Sequence, residues 1–205
     1  MTMSGDLSYP PVHLVGVGSL GGPIALLLAK AGVRNLHVYD PDVVEPKNIE
    51  NQLYCDFLIG MPKVEAITWV LDALSSMRPQ QNPLPVYRIP MAGVVVISAV
   101  DNMDSRKKLF LSSKKAAAFI DGRVGGDVAR LYFIRPSMPE DRAFYESTLY
   151  TDEEAVDDPC LSASTVHTCW SAASLIASNF LKMCRGETAP REIIIDHATV
   201  TMTSQ

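Results

Sequence analysis

The sequence lacks the features that mark several common protein classes. Its four cysteines, Cys55, Cys160, Cys169 and Cys184, form no CxxC pair, which argues against a four-thiolate zinc site. Its four histidines, His13, His37, His167 and His197, show neither HExxH nor other paired spacing. Gly, Pro or charge breaks every apolar run well short of membrane-spanning length, and no basic start leads into an apolar run as in a secretion signal. A cytoplasmic location is expected, and with it no disulfide framework. Positive charge is in deficit too. The formal net charge of -5 argues against a protein that binds nucleic acid by neutralising phosphates. Lys107, Lys108, Lys114 and Lys115 read as the wet face of a helix. There is no internal repeat and no low-complexity tract.

What is present suits a globular α/β protein. The chain has 205 residues, of which 47% are apolar, ample for a buried core. The organising stretch is 12–56. The apolar run VHLVGV leads into Gly16-x-Gly18-x-x-Gly21, a helical segment follows through Ala31, and a second apolar run ends in Asp40. The first glycine makes the turn, the second lets phosphate approach the backbone, and the third lets helix and strand pack closely. The helix start offers N–H groups to an anion. Asp40, about 20 residues after the glycines, stands where a carboxylate accepts from ribose hydroxyls.

Taken in order, residues 1–11 form an arm and 12–205 a single nucleotide-binding domain. Strands are expected at 12–16, 35–40, 86–89, 93–101, 119–121 and 129–136. Helices are expected at 20–31, 62–77 (with Val64, Ile67, Val70, Leu71 and Leu74 on the apolar face), from Asp104 to about 118, and 165–183. Residues 137–163 read as a long loop, and EIIID and ATVTMT as closing strands. The alternation predicts an open, mostly parallel Rossmann-like sheet with helices on both faces.

In such a sheet ligands bind beyond the carboxyl ends of the strands, where most of the acidic and amide candidates fall. Asp40 and Asp42 lie in the turn after the second strand. Asp101, after GVVVISAV, is placed to reach phosphates or a magnesium ion; the competing role is a helix cap, which Asn102 or Asp104 can also supply. Lys63 opens a helix, the wrong end for a cation, and a phosphate neighbour explains it better than solvent does. Arg123, in the glycine-rich DGRVGGD, reads as a turn residue with a fork for phosphate or carboxylate, or as part of a plain turn. Cys160 precedes a helix start, which favours thiolate chemistry, although the acids at 152–158 oppose it. His167 is a candidate base for it. Cys169 and Cys184 read as small core residues.

The string GVGSLGGPIALLLAKAGVRNLHVYDPDVVEPKNIENQ, then GMPKVEA, then SAVDNMDSR, resembles the ThiF/MoeB/ubiquitin-activating (E1-like) adenylyltransferase family over residues 12–130. The later segments AFIDGRVGGDVARLYF and DDPCLSASTVHTCW resemble its compact prokaryotic branch. The resemblance implies ATP and Mg²⁺, and AMP attached to the C-terminal carboxylate of a diglycine-ended ubiquitin-like or sulfur-carrier protein. It also implies a homodimer or heterodimer, and neighbours of the conjugating-enzyme or JAB-type protease kind. Carried over, Gly16, Gly18 and Gly21 match the phosphate turn, Asp40 the ribose acid, and Asn48 and Gln52 the amides of N-x-x-x-Q. Lys63 matches the phosphate lysine, and Asp101, with Asn102 beside it, the magnesium-linked acid. Cys160 is the analogue of the thiol that accepts the activated carboxylate. The family's arginine before that glutamine is here Asn51, and the short arm carries none. Two alternatives therefore stay open, a catalytically weak scaffold subunit and a small NAD-dependent oxidoreductase.

Overall fold

The apolar runs become strands and the amphipathic runs helices in a computed structural model, which describes residues 9–83, 91–151 and 165–205. Strand β1 (Val12–Val15) leads to α1 (Gly21–Lys30) and β2 (Leu36–Tyr39). Helix α2 (Lys63–Ser75), β3 (Gln80–Asn82) and β4 (Val95–Ser98) follow, then α3 (Met103–Ser112). The hairpin strands β5 (Ala118–Gly125) and β6 (Val128–Ile134) precede α4 (Pro139–Glu146), α5 (Val166–Cys184), β7 (Glu192–Asp196) and β8 (Thr201–Ser204). All eight strands join one sheet in the order β3-β2-β1-β4-β5-β6-β7-β8. From β3 to β5 the pairing is parallel, and from β5 to β8 it is antiparallel.

Alternation along each strand divides the core into two layers. Val95 and Ile97 of β4 face a cluster that includes Ile24 and Leu28 of α1, Ile67 and Leu71 of α2, and Ala173 and Ile176 of α5. Val96, between them, faces Leu109 and Phe110 of α3 and Tyr145 of α4. Strand β4 is buried along its whole length, as a central parallel strand must be. Because β1 lies between β2 and β4, the chain reverses its direction of travel across the sheet there. That reversal opens a crevice at the carboxyl ends of β1 and β4. Among the described residues no helix is long and apolar enough to cross a membrane.

Several sequence expectations need correction. Residues 139–146, read as loop, form α4; Pro139 opens it, and Glu140 and Asp141 complement its first turn. The expected strand at 86–89 lies outside the described residues, and β3 at Gln80–Asn82 pairs with β2. Helix α3 is capped by Asn102 rather than Asp104 and ends at Ser112. Leu74, expected on the apolar face of α2, is exposed because it falls on the outer side of the last turn. Strand β5 continues to Gly125, so Arg123 sits within a strand and opposite Arg130, not in a turn.

Candidate functional site

A cavity of about 460 Å³ opens at the crevice between β1 and β4. The glycine turn forms one wall. Gly16 adopts φ +87°, and a Cβ there would come within 2.5 Å of the Ala99 carbonyl oxygen. A Cβ on Gly21 would lie 1.9 Å from the Gly16 oxygen, so helix and strand approach as only glycine permits. Gly18 is different: a Cβ there would meet only the Gln52 amide, at 3.7 Å, on the cavity side. Helix α1 begins with no side-chain cap and no acid in its first turn, which leaves its positive end facing the crevice uncompensated.

Asp40 directly follows β2 and is buried, with both oxygens engaged. Oδ2 accepts from the Val17 N–H at 2.9 Å, inside the glycine turn, and Oδ1 accepts from the Asp42 N–H at 3.0 Å. Burial pushes this carboxyl above the usual range, opposed by those two backbone donors and by the Lys63 charge. Tyr54 donates to the Val17 carbonyl at 2.7 Å and fixes the same turn from the other side. The chain then doubles back: Lys63 N–H donates to the Asp42 carbonyl at 2.9 Å, and Lys63 Nζ meets Asp42 Oδ2 at 2.8 Å. A continuous set of bonds thus runs from the glycine turn through Asp40 and Asp42 to Lys63. The cation at the wrong end of α2 has a carboxylate beside it.

The two amides divide. Asn48 accepts from the Glu45 N–H at 2.9 Å through Oδ1 and closes a capping box on a 3-10 turn, Pro46–Asn48. It shapes the loop and does not line the cavity. Gln52 does line it, and its Oε1 is buried with no partner. On the opposite wall Asn102 Oδ1 caps α3 by accepting from the Ser105 N–H at 2.8 Å. That leaves Asp101 free of capping; it is exposed and accepts a side-chain bond from Asn102 at 3.1 Å.

The structure therefore brings Gly16, Gly18, Asp40, Asp42, Gln52, Lys63, Asp101 and Asn102 to one cavity, with Gly21 packed behind them. It does not bring Arg123. That guanidinium is buried, donates to Asp121 Oδ2 at 2.9 Å and to Thr148 at 2.8 and 3.0 Å, and lies 4.5 Å above the Tyr132 ring. Cys160 lies outside the described residues. His167, considered as its base, bonds to Asp127 Oδ1 at 3.1 Å. Cys169, read as core, is buried yet lines the cavity from α5.

Sequence reasoning missed the support beneath the site. Asp121, fully buried, accepts from Arg106 Nε at 2.8 Å, Arg123 Nε at 2.9 Å and Tyr145 Oη at 2.9 Å. Burial alone would raise its pKa, but the Arg106 and Arg123 charges overcome that and hold the carboxyl below the usual range. Arg106 also donates to the Val100 carbonyl at 2.6 Å, which pins the turn that carries Asp101. An acid ending the apolar run Ala118–Asp121 was the one available signal.

The sequence matches the ThiF family over residues 6–204. It is 35% identical over 109 residues to a SAMP-activating enzyme E1 of Haloferax volcanii, a match covering 50% of this chain and 40% of the relative. It is 34% identical over 108 residues to a molybdopterin-synthase adenylyltransferase of Escherichia coli, covering 48% of this chain and 42% of the relative. The chain thus spans less than half the length of these curated relatives. A crystal structure of E. coli MccB with ATP superimposes with a TM-score of 0.75 at 18% identity, over 97% of this chain and 64% of that one. That likeness is one of fold. With residues 6–204 matched and the glycine turn, acids, glutamine and lysine gathered at one crevice, the chain belongs to the ThiF family.

Proposed function

We propose that this chain activates a carboxylate by adenylation: it binds ATP in the β1–β4 crevice and joins AMP to the C-terminal carboxylate of a small carrier protein. The observation that carries the reading is the convergence of the glycine turn, Asp40, Gln52, Lys63 and Asp101 on one cavity. The residues suit the ligand. Gly16 and Gly21 set the tight turn by close backbone packing, Gly18 leaves room on the cavity side, and Gln52 holds a buried oxygen with no partner among the described residues, which a ligand or water donor would satisfy. The names of the two curated relatives, an activating enzyme and an adenylyltransferase, support the same chemistry.

The glycine turn and the start of α1 would hold phosphate, and Asp40 would orient the ribose. Lys63 would offset charge on the phosphates. A carboxylate oxygen of the carrier attacks the α-phosphorus, the bond from that phosphorus to the bridging oxygen breaks, and pyrophosphate leaves with the electron pair. The work is positioning and electrostatics, with no proton to move. Mg²⁺, held by Asp101, would supply charge neutralisation at the phosphates. Asp101 is available for that role because Asn102, not Asp101, caps α3. The second step of the proposal is thioester transfer, in which the Cys160 thiolate bonds the acyl carbon of the adenylate, the bond from that carbon to the AMP oxygen breaks and AMP leaves; a diglycine-ended ubiquitin-like or sulfur carrier is the substrate.

One observation favours the scaffold alternative. Lys63 is the only Lys or Arg among the described residues lining the cavity, and Asn51 stands where relatives of the resembled family have arginine. ATP–pyrophosphate exchange separates the readings. The enzyme shows exchange that depends on a diglycine-ended carrier, and a scaffold binds ATP without exchange. Titration with ATP against NAD tests the dehydrogenase alternative.

A further inference from the structure

Within the nucleotide reading, Asp42 has no task in binding ribose or phosphate, and its charge is the wrong sign for a site that takes a triphosphate. Three carboxylates, Asp40, Asp42 and Asp101, line the cavity against one ammonium, Lys63. Arg106 and Arg123 are buried against Asp121 and do not line it. The pair that Asp42 makes is asymmetric: the Lys63 side chain is 10% exposed and that of Asp42 63%. When such a pair opens, the carboxylate returns to water at little cost, because exposed ion pairs are held weakly. The ammonium cannot do so. With its side chain only 10% exposed at the cavity wall, it requires another anion there.

We infer that Asp42 is a placeholder counter-ion: it holds Lys63 aimed into the cavity and gives it up to the phosphates of an incoming nucleotide. The backbone supports this aim without the carboxylate. The Lys63 N–H is bonded to the Asp42 carbonyl at 2.9 Å and the Asp42 N–H to Asp40 at 3.0 Å, so both residues stay in place when the ion pair opens. Asp42 is thus a positioning residue that also lowers affinity for phosphate, because every bound phosphate must displace it. The same competition returns Lys63 to Asp42 when pyrophosphate leaves, which favours release.

The test is direct titration of the full chain and of Asp42→Asn with ATP, inorganic pyrophosphate and adenosine, with and without Mg²⁺. Asp42→Asn keeps the shape and an acceptor oxygen and removes the charge. ATP and pyrophosphate are expected to bind about five- to tenfold more tightly, and adenosine unchanged. In the Lys63→Gln background the same substitution is expected to give less than half of that gain. Unchanged or weaker ATP binding by Asp42→Asn overturns the inference, as does an equal shift for adenosine. A loss seen only with Mg²⁺ overturns it by making Asp42 a metal ligand. If the unaltered chain binds no ATP at all, the nucleotide reading falls as well, so the two failures are distinguishable.

Discussion

Replacing Asp121 by asparagine removes one charge from a buried set that holds two cations. Arg106 and Arg123 are each 5% exposed and Asp121 is 0% exposed, so the cations cannot reach water when their counter-ion is lost. Breaking a buried pair from one side costs about 3–5 kcal/mol, a large part of the roughly 5–15 kcal/mol that stabilises a typical domain. For a chain of this length that is a fall in Tm of about 6–20 °C. The reasoning also predicts the remedy. In the triple variant Asp121→Leu, Arg106→Met, Arg123→Met no charge is stranded, and more than half of the lost stability should return. The pH dependence has a definite sign. A carboxyl held below its ordinary value contributes stability above an unfolded pKa of about 3.9, and that contribution is lost as pH falls towards the lowered folded value. Thermal melts of the three proteins from pH 3 to 7 provide the assay. A fall in Tm under about 3 °C for Asp121→Asn at pH 7, or a triple variant less stable than the single one, refutes the account.

Other outcomes follow from the same geometry. Gly21→Ala puts a Cβ 1.9 Å from the Gly16 oxygen, so either the turn or the helix must move; ATP affinity by titration should drop at least about tenfold, with stability lower by roughly 1–3 kcal/mol. Asp101→Ala should leave Tm unchanged, because Asp101 is exposed and does not cap α3, while abolishing the gain in ATP affinity that Mg²⁺ gives. His13 is lowered from 6.5 to about 4, first by burial and then by the His37 charge. Its neutral form is favoured in the fold, so stability is full above pH 6.5 and falls as the unfolded chain takes up a proton down to about pH 4, by on the order of 3 kcal/mol. Melts of His13→Gln should show a shallower loss across that window, and an unchanged slope would count against it.

The parts of the site carried by one short segment were legible in the sequence. Gly16 and Gly21 announce themselves because no other residue fits their contacts, and Asp40 because a strand-end acid has a fixed distance from that turn. Asp101 stood out because Asn102 is a sufficient cap beside it. Features assembled from distant segments were not legible. Asp121 collects donors from α3, β5 and α4, and its partners are fixed only by packing. Arg123 reads as a turn residue because three glycines, Gly122, Gly125 and Gly126, surround it in DGRVGGD, yet pairing with β6 extends the strand through it. That is tertiary structure overriding local propensity. Helix α4 is different, since its opening Pro139-Glu140-Asp141 is a helix-start pattern set among polar residues.

The turn after β1 and the turn after β4 touch through their main chains, with Ala99 N–H also bonded to the Val15 carbonyl at 2.8 Å. The spacing between the wall that would grip phosphate and the wall that carries Asp101 is thereby a property of the peptide backbone. Swapping side chains at either position can break that spacing but has no means of adjusting it.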